Sequence, residues 1–326
     1  MKQILIIATG GTIAGIGEIG KSASYQAGEI NIDEIIQSIP ALKNLAELSA
    51  VQFCNVDSNE MNPKRLVDLA NYINEMALRE DVDGIVVTHG TDTLDETAYF
   101  LNLTIRTYKP IILTGAMRPA TATSADGPMN LYQAVALACH EQAMGHGVMA
   151  VFSDTIYSGR DIQKVNNFKT DAFDKKDFGC LGYMRDDQAY FFARSFKKHT
   201  LQSMFSEHTL TTLPNVGIAY YYGGASISIL KALSEECEGI VIAGSGSGNY
   251  SQEWIEEVER LVNHGIVIVR SSRVGHGIVF DSPVFDPKGL TIPSNTLSPQ
   301  KARILLMLAL SVTKDKDEID KIFSDY

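Results

Sequence analysis

The sequence predicts an α/β protein: a larger N-terminal parallel-sheet domain followed by a smaller C-terminal α/β domain. Three observations carry this. Short runs rich in Ile and Val recur along the chain and are continuous rather than alternating, the pattern of parallel strands covered on both faces. Helical patterns with clear start signals fall between those runs, as in successive βα units. Between about residues 179 and 214 the pattern lapses into a polar stretch containing Lys and His. A chain of 326 residues is long enough to give each side of that break its own core.

Taken in order, the first strand is expected at residues 4–8. Asn62-Pro63 then offers an N-cap and a proline at the first helical position, and Leu66, Leu69, Ala70, Ile73 and Ala77 follow at helical spacing. Further strands are expected at 84–88, 110–114 and 148–152. The N-terminal catalytic domain is expected over 1–190, a linker over 191–213 and the C-terminal domain over 214–326. In the last, strands are expected at 216–222, 239–243 and 265–269. Ser251 precedes Glu253, Glu256 and Glu257, which puts acidic residues early in a helix, where its dipole favours them. Ser298-Pro299 repeats the cap-and-proline device ahead of Ala302, Leu305, Leu306 and Ala309. Ile319, Ile322 and Phe323 in the charged tail suggest a last short helix.

The formal net charge of −11 argues against nucleic acid or an anionic membrane as the main partner, while leaving small zwitterionic substrates open. The four cysteines, Cys54, Cys139, Cys180 and Cys237, stand singly and read as reduced thiols. The apolar run at 4–8 is too short for a signal peptide and turns at once into Gly10-Gly11, and no stretch approaches a membrane span. The chain is therefore expected in the cytoplasm.

Ligands of open α/β sheets bind beyond the carboxyl ends of the strands. Two strand exits carry one signature, Thr9-Gly10-Gly11-Thr12 and Thr88-His89-Gly90-Thr91, the second followed by Asp92. In each, glycine allows a tight backbone path before a threonine hydroxyl. A single such exit is as readily ordinary turn chemistry; two matched exits point to function. A hydroxyl nucleophile needs a proton acceptor, and amide hydrolysis needs donors for a developing oxyanion, which glycine-flanked backbone N–H groups can supply. No Ser-His-Asp pattern is present, and His89 reads as a strand-end structural residue.

At these residues the chain resembles the bacterial L-asparaginases. The likeness runs through Ala8-Thr9-Gly10-Gly11-Thr12-Ile13-Ala14-Gly15 and Thr88-His89-Gly90-Thr91-Asp92-Thr93, then Gly115-Ala116-Met117-Arg118-Pro119 and Ser124-Ala125-Asp126-Gly127-Pro128. It continues through Gly159-Arg160-Asp161, Arg270-Ser271-Ser272-Arg273-Val274 and Pro299-Gln300-Lys301-Ala302-Arg303. The resemblance implies hydrolysis of L-asparagine, with L-glutamine as a second amide, without metal or cofactor. It implies Thr12 as the nucleophile that forms an acyl-enzyme and Tyr25 as a flexible-loop tyrosine assisting it. Thr91, Asp92 and Lys164 match a second polar group in which the lysine moves protons and the aspartate binds substrate. Ser58 matches a residue for the substrate carboxylate, and Asn59 falls where many members have glutamine. Asn249 matches an asparagine supplied by a neighbouring subunit, implying a homotetramer built as a dimer of dimers.

One family element is missing. Where the family usually has a glutamate for the substrate amine, this chain reads Gly275-His276-Gly277-Ile278-Val279-Phe280-Asp281-Ser282-Pro283, leaving Asp281, Asp286 or another group for that role. Lys164 poses a second question: burial favours its neutral, proton-accepting form and an ionised Asp92 favours the charged one.

Other signals mislead. Gly15-Ile16-Gly17-Glu18-Ile19-Gly20-Lys21-Ser22 fits the P-loop pattern, but the strand ends near Ala8 and the residues after Ser22 make a poor helix. The Gly244–Gly248 run misses the dinucleotide fingerprint, and His140-Glu141 with His146 lacks zinc-site spacing. Three readings stand at this point: an asparaginase, the amidohydrolase partner of a larger amidotransferase, and a P-loop nucleotide-binding protein.

Overall fold

The computed structural model describes residues 1–21, 25–26, 28–174, 176–207 and 209–326, with the side chains of 25, 26 and 176 left out. The chain forms two compact units, Met1–Leu210 and Thr211–Tyr326.

Unit 1 holds strands β1 (Lys2–Gly10), β2 (Ile16–Gly17), β3 (Tyr25–Gln26), β4 (Ala46–Val56), β5 (Gly84–Thr88), β6 (Ile111–Thr114), β7 (Val148–Phe152), β8 (Thr155–Ser158), β9 (Gln163–Lys164), β10 (Phe173–Asp174), β11 (Gly182–Arg185) and β12 (Gln188–Phe191). Its helices are α1 (Ile32–Gln37), α2 (Pro63–Ala77), α3 (Leu94–Thr104) and α4 (Gly127–Cys139). Eight strands make one sheet in the order β12-β11-β8-β7-β6-β5-β1-β4. From β4 to β7 it is parallel, and β8, β11 and β12 extend it in antiparallel fashion. The buried runs read from the sequence are its centre: Ile4, Ile6, Ile7, Ile85, Val86, Val87, Ile111 and Ile112 are each at most 1% exposed. Full burial of such a side chain stabilises by about 1.5–3 kcal/mol.

Two strands absent from the sequence reading, β4 and β11, share a trait. The pattern of β4 is mixed, with Ala46 buried and its other residues partly or fully exposed, and β11 alternates buried and exposed residues. Neither shows a continuous apolar run. The helix signals hold: the Asn62 side chain accepts from the Arg65 amide at 3.0 Å and caps α2, whose Leu66, Leu69, Ala70, Ile73 and Ala77 are buried. After the 3-10 turn Thr12–Ala14, the P-loop-like segment enters the β2–β3 ribbon, with no helix opening among the described residues. Residues 191–210, expected as part of a linker, belong to unit 1 instead. His199, Ser203, Phe205 and Ser206 are buried there, in and beside short turns that lie against α3, so this polar stretch has its own apolar and hydrogen-bonded anchors.

Unit 2 holds β13 (Val216–Tyr220), β14 (Gly239–Gly244), β15 (Val267–Ser272) and β16 (Ile292–Pro293), all parallel in that order. Its helices are α5 (Ser228–Glu236), α6 (Gln252–Asn263), α7 (Pro299–Leu310) and α8 (Lys316–Asp325). Trp254 of α6 is fully buried, its indole N–H donating to Ala225 O at 2.8 Å. Ser298 caps α7, and the tail helix α8 buries Ile319, Ile322 and Phe323. Among the described residues no helix is long and apolar enough to cross a membrane.

Three histidines of unit 1, His89 and His199 buried and His146 partly buried, have pKa values lowered in the fold. His89, wholly buried beyond β5, directs Nδ1 at Gly90 O, 2.7 Å away, so Nδ1 carries the proton and Nε2 accepts from Thr97 Oγ1 at 3.0 Å. Burial pushes its pKa down to about 4. His146, stacked on Phe191 with ring centroids 4.5 Å apart, and His199 are shifted down by burial first and by the Arg194 charge second. In the unfolded chain such rings gain a proton near pH 6.5. The folded state therefore binds fewer protons below that pH, and stability is full above it and lost as pH falls toward the folded values. Between pH 6.5 and 5, where ordinary carboxylates stay charged, His89 alone should remove about 2 kcal/mol. Urea midpoints that fall steadily from pH 7 to 5 are expected; a flat profile would contradict it.

Candidate active site

Three chain segments meet at the carboxyl ends of the unit 1 strands because glycines let their backbones touch. Gly10 ends β1 and Gly11 follows it, with φ of 105° and 81°, a region side chains disfavour. A Cβ on Gly11 would lie 2.5 Å from both N and Cα of Gly90, and one on Gly10 would lie 2.5 Å from Val56 O. A Cβ on Gly90 would in turn lie 2.8 Å from Cβ of Ser58. Hydrogen bonds lock the contact: Gly11 N to Val56 O (3.2 Å), Thr9 Oγ1 to Thr88 O (2.9 Å) and Thr93 Oγ1 to Ser58 O (2.7 Å). The two Thr-x-Gly-Thr exits and the end of β4 thus form one floor.

Above that floor lies a polar cavity of about 160 Å³, walled by Gly11, Thr12, Asp57, Ser58, Gly90, Thr91, Asp92, Met117, Lys164 and Asn167. Thr12, Ser58 and Thr91 are each buried to within 6% of full burial. Lys164 enters from β9, where pairing with Phe173 of β10 fixes its backbone and Lys164 N donates to Asp95 at 3.3 Å. Its ammonium lies 2.8 Å from Thr91 Oγ1 and 2.5 Å from Asp92 Oδ1, with the lysine side chain only 14% exposed and Asp92 56%. One cation thus touches both members of the second signature.

Met117 reaches the wall through the loop after β6. Asp126 accepts from the amides of Met117 and Arg118, each at 2.9 Å, and Asn130 Nδ2 donates to Gly115 O at 3.0 Å. Two separate sequence blocks, Gly115–Pro119 and Ser124–Pro128, therefore make one rigid turn. The Gly159-Arg160-Asp161 block is structural: Arg160 is buried in a 2.7 Å ion pair with Asp161.

Several expected residues stand elsewhere. Asn59 is exposed and off the cavity wall; its Nδ2 donates to Asp57 Oδ1 at 2.6 Å. The backbone of Tyr25 lies in β3, and its side chain falls outside the described residues. Asn249 belongs to unit 2, exposed in a tight loop closed by hydrogen bonds between Ser245 and Asn249. The buried Arg270 donates to Ser247 O of that loop at 2.6 Å and to Phe280 O. Of the two candidates for the missing glutamate's role, Asp286 has its carboxylate filled by Leu290 N, Thr291 N and Thr291 Oγ1 at 2.6–3.0 Å, and Asp281 is exposed. The sequence reading missed Asp57 and Asn167 on the wall. Asp57 had a signal, since Asp57-Ser58-Asn59 is an Asx-turn pattern; Asn167 had none.

Taken together, two threonine hydroxyls, a lysine and backbone amides around a polar cavity suit nucleophilic acyl transfer. The known proteins agree. Residues 3–197 match the family model described as Asparaginase, N-terminal, and residues 215–323 match the Glutaminase/Asparaginase C-terminal domain. The chain is 43% identical to the glutaminase-asparaginase of Pseudomonas fluorescens biotype A, with all of this chain and 91% of that protein covered. It is 41% identical to the probable periplasmic L-asparaginase of Haemophilus influenzae, with all of this chain and 93% of that protein covered. The crystal structure of the probable cytoplasmic L-asparaginase from Campylobacter jejuni superposes with a TM-score of 0.95 at 43% identity, covering 100% of both chains. A chain matched along nearly its whole length, in both units, belongs to the asparaginase family.

Proposed function

We propose that the chain hydrolyses the side-chain amide of L-asparagine to L-aspartate and ammonia, with L-glutamine as a lesser substrate. The observation that carries this reading is the contact of Lys164 with Thr91 and Asp92 in the cavity that Thr12 also lines. Thr12 Oγ attacks the amide carbon and its proton passes through Thr91 to Lys164, which must first have given up its own proton to accept it, while glycine-flanked backbone amides of the floor stabilise the oxyanion. The C–N bond then breaks, the nitrogen takes a proton and ammonia departs, leaving an ester on Thr12. Water adds to that ester, the C–O bond breaks, and Thr12 regains its proton. Tyr25 assists the nucleophile, Ser58 holds the substrate carboxylate, Asp92 binds substrate beside Lys164, and Asn59 contributes through its bond to Asp57.

Asparagine and glutamine differ by one methylene, worth roughly 1–3 kcal/mol, or about 10–200-fold, in a pocket. The relatives named for both amides support activity on each. Four cysteines without disulfides and the likeness to the Campylobacter jejuni chain favour a cytoplasmic location. We assign Asn249 to a neighbour's site in a homotetramer assembled as a dimer of dimers. An isolated subunit is then poorly active: specific activity should fall on dilution in step with the sizing profile. Full activity per subunit from a monomer would refute that assembly.

The chemical test is Thr12→Val, which keeps the branched shape and removes the oxygen. Ammonia release should fall by about a thousand-fold or more with little change in the melting temperature. Thr91→Val should also be severely impaired. Wild-type protein quenched with acid during turnover should carry an aspartyl increment on the peptide holding Thr12, absent from the variant. An increment on Thr91 or Ser58, or near-normal turnover by Thr12→Val, overturns the assignment of the nucleophile.

A further inference from the structure

Unit 1 has a second cavity beside the catalytic one, and at about 390 Å³ it is the larger of the two. That volume falls in the range of small-ligand clefts, about 300–1,000 Å³. Ile13, Ile30, Ile35 and Pro128 give it an apolar wall, and two charged side chains, Glu34 and Arg118, also line it. Glu34 stands on α1 and is exposed, while Arg118 is half-buried in the turn after β6. Arg118 Nη1 donates to Ser124 O at 3.0 Å and to Ser124 Oγ, and its Nε and Nη2 have no partner among the described residues. The Glu34 carboxylate has no hydrogen bond or ion pair among them either. The two cavities share two stretches of chain. Thr12 lines the catalytic one and Ile13 this one; Met117 lines the first and Arg118 the second. Ile13 has little slack, since a Cβ on Gly127 would lie 2.9 Å from its Cγ1.

The lining selects the chemistry of an occupant. A lone anion would meet Glu34 and a lone cation would meet Arg118, each a like charge. A zwitterion satisfies both, its ammonium donating to the carboxylate and its own carboxylate accepting from the guanidinium. The isoleucine wall favours an aliphatic side chain. A polar side chain finds little here, because the hydroxyl of Ser38 already donates to Ile35 O at 2.7 Å. We propose that this cavity is a second site, which binds a free α-amino acid with an aliphatic side chain and alters turnover through Ile13 and the Met117–Arg118 turn. The binding stands apart from the amidohydrolase reading, and only the effect on turnover rests on it.

The probe is L-leucine. In calorimetry with L-aspartate saturating the catalytic cavity, leucine should bind at one equivalent per subunit. 4-Methylpentanoic acid lacks the amine, 3-methylbutylamine lacks the carboxylate and glycine lacks the side chain; each should bind at least about ten-fold more weakly. Glu34→Gln and Arg118→Met should each weaken leucine about ten- to a hundred-fold, with kcat for asparagine in the absence of leucine within about two-fold of the wild type. Saturating leucine should change the wild-type kcat for asparagine by about two-fold or more, and the same concentration should leave Glu34→Gln unmoved. Simple competition at the catalytic cavity would raise KM and spare kcat. Failure of leucine to bind, its displacement by aspartate, equal affinity for the analogues, or undiminished binding in Glu34→Gln, whose exposed side chain can change without disturbing the fold, overturns the site. One-equivalent binding with an unchanged kcat overturns the coupling. A wild-type protein that releases no ammonia from asparagine overturns the hydrolase reading instead, and leucine binding that is lost in both variants still upholds the site.

Discussion

The candidate site exists because Gly11 and Gly90 have no side chains. A Cβ on Gly11 would sit 2.5 Å from the Gly90 backbone, inside any tolerable contact, so the strand exits of β1 and β5 close on each other only with glycine. That closure presents Thr12 and Thr91, the residues next in sequence, to the same small cavity. The parallel sheet makes it possible. β1 pairs in parallel with β5 on one side and with β4 on the other, where a register shift between Ala8 and Gly10 brings Val56 opposite Gly10, so the three exits share one space. His89 completes the floor by burying a neutral ring whose two nitrogens are both used within the protein, so no charge from below competes with Lys164.

Much of this was legible in the amino-acid sequence, and the limits have physical causes. The central strands were readable since burial on both faces forces unbroken apolar runs. β4, β11 and β12 were not, because strands with exposed residues between buried ones lose that run, and β8, though buried at Ile156, Tyr157 and Ser158, is only four residues long and is bounded by the hydroxyl residues Thr155 and Ser158. The paired Thr-x-Gly-Thr exits marked the site directly, as the glycines there answer a backbone constraint that leaves a sequence trace. Lys164 lies 72 residues from Asp92, and nothing local to it announces a partner; only the likeness to known enzymes singled it out. Asn59 illustrates the opposite failure. Its position beside Ser58 suggested a wall residue, yet the turn that begins at Asp57 directs its amide back to that carboxylate.

The electrostatics of the cavity centre on Lys164. Lys164 meets a hydroxyl and a carboxylate at once, so its charge is used locally, and the wall is left with a surplus negative group at Asp57.

Unit 2 shows the same economy around a loop rather than a cavity. Arg270 is 1% exposed, and its guanidinium faces carbonyl oxygens of Ser247 and Phe280 and the ring of Phe285, 5.6 Å from its centre. Its Nε has no partner among the described residues. Burying a guanidinium without a carboxylate is unfavourable, and a lone unsatisfied donor costs about 1–3 kcal/mol. The return within the unit is small: a rigid glycine loop whose tip, Asn249, faces solvent with its backbone locked to Ser245. A fold that stabilised only itself would gain from an apolar residue at this position. The buried cation instead fixes the backbone of the glycine loop through the Ser247 carbonyl, so the loop holds one geometry at a cost to the unit's own stability.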